Sequence, residues 1–456
     1  MYSEMRVGQL HLRKNMFLIY GGIIAVCFLY TGSAYMSQFY RLMELYDGAA
    51  VDLITSGWNY ILQAIGIAVF ALGLWRKPSF FGRKWLFISL LLIGGVFMSL
   101  SQLCTNGALI ILFGFVFNLL IGVYFGFYLT MLAAGVPAKH TGLCYGVAYA
   151  IGSVGTYLFS LINDGAFLTS KAITAVYLLL MAVTVGIVLI SSDIVLPSEK
   201  DEKQDKPPYF IYIVPIIVIM VIISVTGSGL YYSLPQSENV NWNLTRLFYA
   251  VGLIAAGIIH DKSRFIGGII TVASLTYPVI ATALFTGGVN GTIALSLSYL
   301  FRGFLSVYCI CTFTDFGAKN SRLLPLSALG LCISRTVEAL LSFLLVYVNI
   351  PEVAVLIITA VFFAPLILFF ALYYSKIYSP SAFTHEKRLT LFSEKYGLTA
   401  RESEVLQCLS EGLSDDEISN KCYISRSTVR FHISNILKKT GCHTRVEVVR
   451  SLNRSE

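Results

Sequence analysis

The stretch SDDEISNKCYISRSTVRFHISNILKKTG, Ser414 to Gly441, reads as two helices joined by a turn. Ser414 and Glu417 fit a capping box, a hydroxyl at the N-cap with a carboxylate at N3, so a short helix starts there and carries Ile418 inward. Ser425 is a good N-cap for a second helix, from about Arg426 to Lys439. In it Val429, Ile433, Ile436 and Leu437 recur at i, i+4, i+7, i+8, and Gly441 supplies the C′ residue that closes it. Upstream, Thr399 and Glu402 form another capping box, opening a helix that buries Val405, Leu406 and Leu409 and stops at Gly412. A short helix, a turn over Cys422 to Ser425 and a longer amphipathic helix make a helix-turn-helix.

The outer face of the last of these helices collects Ser427, Arg430, Phe431, Ser434 and Lys438, which point away from the core together. Ser425, Arg426 and Thr428 at its start and Lys439 at its end complete the candidate DNA-contacting set. Charge is polarised in the same sense. From Arg401 to Glu417 there are six acids and one base, whereas from Lys421 to Arg450 there are seven bases and one acid. The basic side suits phosphate, with the acidic helices behind it.

The residues Leu398-Thr-Ala-Arg-Glu402, Val405-Leu406, Glu411-Gly412, Glu417-Ile418, Ile424-Ser425, Thr428-Val429, His432, Asn435-Ile436, Lys439, Gly441 and Arg445-Val-Glu447 resemble the C-terminal DNA-binding domain of bacterial LuxR-type regulators. The resemblance covers about 55 residues. It implies four helices, the last at about Thr444 to Asn453 serving dimerisation, so a homodimer is expected at least on double-stranded DNA. It also implies base and phosphate contacts from the face holding Arg430, Phe431 and Ser434. Cys422 and Thr440 stand where that pattern prefers Leu, and Ser434 where a Lys is sometimes found.

The rest of the chain is of another kind. The 456 residues are 56% hydrophobic and 13% charged, with a mean hydropathy of +0.73. Residues 1–374 hold 20 Lys/Arg and 15 Asp/Glu, and 375–456 hold 13 and 10, so the first part has a membrane composition and the second a soluble one. The net charge of +8 is too small to diagnose a nucleic-acid partner by itself. Nine cysteines, an odd number mostly inside apolar runs and with no C-x-x-C, read as small core residues, with neither a disulfide framework nor a zinc site. The first apolar run, from Phe17, is too long for a signal peptide and reads as a permanent span.

Cutting the chain into runs long enough to cross a bilayer gives twelve segments, near 17–40, 53–75, 85–103, 107–135, 142–162, 172–191, 209–231, 244–260, 265–285, 293–316, 326–348 and 353–374. With the N-terminus in the cytoplasm, inside connections carry 15 Lys/Arg and outside ones three: Arg41, Lys171 and Arg246. The positive-inside rule then puts the N-terminus and the C-terminal domain in the cytoplasm of a multi-pass cell-membrane protein. The charged stretch 192–208 divides the spans six and six, giving the expected organisation 1–191, membrane half one; 192–208, linker; 209–374, membrane half two; 375–396, linker; 397–456, DNA-binding domain. That layout resembles the major facilitator superfamily. Gly257-Ile-Ile-His-Asp261-Lys262-Ser-Arg264 partly matches the family's loop motif after span 8, while the loop after span 2 keeps Gly82-Arg83-Lys84 but has Ser79 where the acid belongs. The fold class expected is all-α.

Arg302, Arg335 and Glu338 fall near the bilayer midplane in spans 10 and 11. A buried charge there has to be paired, so Glu338 should meet one or both arginines and leave one net positive charge, either as an anion-binding centre or as a structural lock between the spans. Tyr124 and Tyr128 on span 4, with Asn118 and with Gln38 and Tyr35 on span 1, are further ligand candidates, since the superfamily's central cavity is lined by spans 1, 4, 7 and 10. The implied ligand is a small molecule, anionic or aromatic. Asn243-Leu-Thr245 and Asn290-Gly-Thr292 match the glycosylation sequon by chance. No phosphate loop, nucleophile elbow or metal cluster is present, so no enzyme, cofactor or metal is expected. With about twenty residues between the last span and the DNA-binding helices there is no room for a soluble sensor. The chain reads as a membrane-bound regulator whose transporter-like part senses a ligand, the alternative being an active transporter with a regulatory tail.

Overall fold

A computed structural model describes residues 2–164, 170–191, 213–233, 242–277, 291–319, 321–347, single positions between 357 and 372, and 389–454, and all regular structure among them is helical. The chain divides into two compact units, Met1–Tyr374 and Ser375–Glu456.

In the first unit α1 (Tyr2–Met43) is followed by α2 (Gly48–Asp52), which continues through a π turn at Leu53–Trp58 into α3 (Asn59–Arg76). Then come α4 (Pro78–Phe81), α5 (Lys84–Leu103), α6 (Gly107–Gly135), α7 (Ala138–Asp164) and α8 (Ser170–Ile190). The second half holds α9 (Ile213–Ser233), α10 (Trp242–Lys262), α11 (Arg264–Ser274), α12 (Gly291–Lys319), a 3-10 turn at Ser321–Leu326 and α13 (Leu329–Tyr347). Local chemistry sets several starts. Asp47 accepts from the Ala50 amide at the head of α2, Asn106 from Ala108 and Leu109 at α6, and Ser263 from Ile266 at α11. Pro78 opens α4, where its missing N–H costs nothing.

Eight of these helices, counted among the described residues, are long and apolar enough to cross a membrane. The sequence-based count of twelve is not reached. The segment near 142–162 is helical as α7 but is not among the eight, that near 209–231 is helical as α9 from Ile213, and part of 265–285 and most of 353–374 lie outside the described residues. The surface of this unit is apolar where a soluble protein's is polar: Leu72, Val96, Ile151, Leu179 and Val251 are exposed, as hydrocarbon contact requires. With lipid outside, helices gain by backbone proximity. Gly66 faces Gly122 between α3 and α6, Gly142 faces Gly257 between α7 and α10, and Gly252 faces Gly303 between α10 and α12, so close that a methyl group on any of them would overlap the neighbouring backbone.

The second unit packs α14 (Ala400–Ser410), α15 (Asp415–Cys422), α16 (Arg426–Thr440) and α17 (Arg445–Arg454) around Val405, Leu406, Ile418, Val429, Ile436 and Leu452. Both expected capping boxes form, Thr399 with Glu402 and Ser414 with Glu417. Gly441 caps α16 in the left-handed conformation, φ 72°. The linker assigned to 375–396 ends too late. Residues 389–396 are helical, and Leu389 and Phe392 are buried in this same core. Cys422 stands beside Cys408, the sulfurs 3.8 Å apart, so the pair fills the space a Leu would occupy.

Candidate DNA-contacting face and membrane cavity

On α16 the periodicity divides the side chains cleanly. Val429, Ile433 and Ile436 are buried, while Arg426, Ser427, Arg430, Phe431, Ser434 and Lys438 are exposed. Phe431 has 61% of its surface in solvent, an unusual position for a ring with no packing partner in the core. Ser425 accepts from the Thr428 amide and its hydroxyl also meets those of Ser427 and Thr428, both at 2.7 Å, which fixes the first turn. Lys439 behaves differently from the rest of the expected set. Its ammonium donates to Glu402 at 2.7 Å and to the Gly397 carbonyl at 2.9 Å, so it clamps the start of α14 to the end of α16.

Glu402 is buried, and burial opposes its ionisation, but the hydrogen bonds from Lys439 and from the Thr399 backbone outweigh that and hold its pKa below the ordinary carboxylate value. Asp415, at the first turn of α15, receives Arg430 Nε at 3.2 Å and Arg445 Nη1 at 3.1 Å. Burial again acts upward, and the two guanidinium groups win, lowering its pKa. Asp416 pairs with Arg426 in the same way. The acidic helix thus presets the arginines of the exposed face, an arrangement that sequence polarity indicated only in outline.

In the membrane unit Glu338 sits between the two expected arginines, accepting from Arg302 Nη2 at 2.8 Å and from Arg335 Nη1 at 3.0 Å. Arg335 also lies over the Tyr60 ring, 4.1 Å from its centroid. All three charged residues line a cavity of about 300 Å³. Of the other candidates Tyr35 also lines it, while Gln38, Asn118, Tyr124 and Tyr128 lie apart from it. Gln38 and Asn118 belong to a buried amide cluster with Asn59 and Gln63, of which only Gln63 reaches the cavity. Tyr124 donates to the Leu90 carbonyl at 2.7 Å on the α5 side, and Tyr128 stands edge-on behind Phe28, ring centroids 5.5 Å apart. The face of α6 that carries these two tyrosines is used up in packing.

Sequence reasoning missed most of the cavity wall. Arg246 was counted among the loop charges, yet it lies in the second turn of α10 and lines the cavity. An aromatic ladder runs past it: Phe28 stacks on Tyr149 at 3.8 Å, Tyr149 meets Tyr249 edge-on at 5.4 Å, and Tyr249 meets Tyr299 at 6.3 Å. The i, i+4 pair Tyr145 and Tyr149 was the available signal.

At the opposite end of α7 and α10 is a buried ion cluster. Asp261 accepts from the amides of Gly142 and Leu143, at 2.8 and 2.7 Å, in the second turn of α7. Arg264 pairs with Asp261 at 2.9 Å and with Asp315 of α12 at 2.8 Å, and bonds Thr141 at 2.6 Å. The matched motif around Gly257 to Arg264 therefore ties the second half to α7 of the first. Its partner loop, with Ser79, has no such acid.

Comparison with known proteins addresses each unit separately. The profile of the family described as bacterial regulatory proteins, luxR family, matches residues 397–452. The spore germination protein GerE of Bacillus subtilis is 41% identical over 63 residues, 14% of this chain and 85% of that protein. The uncharacterized response regulatory protein YgeK of Escherichia coli is 39% identical over 66 residues, 14% of this chain but only 45% of that one. The chain spans less than half the length of the response-regulator relatives it matches, YgeK among them. The membrane unit is similar in fold to a human organic anion transporter, MFSD10, with a TM-score of 0.54 at 11% identity over 79% of this chain and 98% of that one. It is also similar to the fucose:proton symporter FucP of E. coli, TM-score 0.52 at 12% identity over 78% and 98%. At such identities the likeness is one of fold alone: a transporter-like, all-α membrane bundle fused to a regulator's DNA-binding domain.

Proposed function

Because the chain belongs, through its C-terminal domain, to the LuxR family of bacterial regulatory proteins, we propose that it is a one-component transcription regulator held in the cell membrane. Its helical bundle takes up a small molecule and sets whether the tail occupies its operator as a dimer. The observation that carries this reading is the cavity, a space among the membrane helices with arginines in its wall, on the same chain as a LuxR-type tail. The 15 to 3 distribution of basic residues supports a cytoplasmic tail, where DNA is reached.

The same two helices link both ends of the bundle. On α10, Arg246 and Asp261 are fifteen residues apart, about 22 Å along the axis, and α7 runs beside it from Gly142 to Thr156. A ligand bridging the halves at the cavity favours one closure over the other. Its leverage is its difference in affinity for the two, about 1.4 kcal/mol for each tenfold shift in populations.

The reading is tested on the full chain in its host by capturing the DNA it occupies and profiling transcription. Occupancy of a small set of promoters is expected, lost with Arg430→Ala, with transcription at those promoters changing. Arg302→Gln or Arg335→Gln should freeze transcription at one level across growth conditions while the chain stays in the membrane. No promoter enriched above genomic background, together with solute accumulation in vesicles, would favour a transporter with a DNA-binding tail instead.

A further inference from the structure

The cavity has a polarity of its own. Glu338 has each oxygen engaged by an arginine, one by Arg302 and one by Arg335, so its single charge is already opposed by two cations. Arg246 lines the same space, and among the described residues its guanidinium forms no ion pair and no side-chain hydrogen bond. Among the described residues, three guanidinium groups stand against one carboxylate in the cavity wall, two net positive charges and one more than the sequence implied. An arginine on a membrane helix is retained where it meets an anion or lines a pathway, and its planar fork matches a carboxylate in two parallel hydrogen bonds.

The walls define the remainder of the occupant. Tyr35 and Tyr60 stand on one side, and Tyr145, Tyr149, Tyr249 and Tyr299 continue round toward Arg246. These rings present flat apolar faces with hydroxyls at their edges, which favours a planar guest over a sugar-like one with polar groups on all sides. A volume of about 300 Å³ lies at the small end of ligand pockets. It suits one ring with a short side chain.

We propose that the ligand is a small aromatic monocarboxylate, held through its carboxylate by Arg246 and through its ring by the tyrosine ladder, with Arg302–Glu338–Arg335 as the fixed floor. This rests on the reading of the bundle as a sensor and deepens it, because it assigns ligand selection to Arg246 and not to the three-residue cluster.

The test is equilibrium dialysis of the full chain in lipid nanodiscs with phenylacetate and benzoate, their neutral amides, and hexanoate as an acid without a ring. At least one aromatic acid is expected to bind tenfold or more tighter than its amide and than hexanoate. Arg246→Gln should reduce acid binding at least tenfold and leave amide binding unchanged, which also reports that the variant is folded, while Arg246→Lys should retain part of the difference. Equal binding of acid and amide, binding of none of the aromatic acids, or full acid binding by Arg246→Gln each overturns the assignment. Hexanoate binding as tightly as the aromatic acids overturns the role of the ladder. Failure here with intact promoter occupancy leaves the sensor reading in place, whereas acid-selective binding with no occupied promoter would retain this site and remove the regulator.

Discussion

Glu402 does three things with one carboxylate: it completes the capping box on Thr399, receives Lys439, and remains ionised although only 3% exposed. Since its folded pKa is below the unfolded value, its contribution is complete above the ordinary carboxylate range and is lost as pH falls through the folded pKa. Urea unfolding of fragment 384–456 should therefore show Glu402→Gln to be less stable by about 1–3 kcal/mol at pH 7, with the gap to wild type closing at the acid end. A gap of the same size at pH 7 and in acid would show that the stabilisation does not come from the ionised form. Arg430 and Asp415 form the second informative pair. If Arg430 reads a base edge, Arg430→Ala should cost about 1–3 kcal/mol on operator DNA and much less on random duplex. Asp415→Asn, which removes the charge that holds Arg430 and Arg445, should weaken discrimination more than total affinity. Both are measured by competition binding on specific and random duplexes, and equal losses on the two DNAs would reassign Arg430 to phosphate.

At the level of elements, the readings that held were the local ones. The capping boxes at Thr399 and Ser414, the Ser425 N-cap and the Gly441 stop each depend on residues within a turn of one another, so a sequence shows them directly. The pairing of Glu338 with Arg302 and Arg335 was also legible, because unpaired charge at that depth is prohibitively costly. Arg246 was not: its position near a helix start made it look like a loop charge, and only the meeting of α7, α10 and α12 brings it to the cavity. That Tyr124 and Tyr128 lie outside the cavity lining was not legible for the converse reason, since a pair on one face says nothing of which neighbour covers that face. The Asp261–Arg264–Asp315 cluster gives a test of its own. Asp261→Ala leaves the amides of Gly142 and Leu143 without their acceptor and should loosen the head of α7. Cys144, buried one residue further on, should then react with maleimide several-fold faster than in wild type. An unchanged rate would mean that helix packing at Gly142 and Gly257 holds that end without the ions.

For the whole molecule the first question is which side is which. Single cysteines placed at Ser237 and Ser381 in a Cys-free background should report it: an impermeant maleimide is expected to label only Ser237→Cys from outside, and labelling of Ser381→Cys would reverse the orientation. Fragment 384–456 should bind duplex DNA, with affinity falling about tenfold or more between 50 and 200 mM salt as phosphate counterions are released. A flat salt response would point to a protein partner instead. The burial of Leu389 and Phe392 in the tail's core has one more consequence. Only residues 375–388 then lie between the first unit and the helices of the tail, and even fully stretched they would reach about 50 Å. On the reading proposed above, a regulator so tethered would not travel to its gene. The chromosome would then make the search, and a promoter under its control would be active or silent according to how often that locus drifts against the envelope.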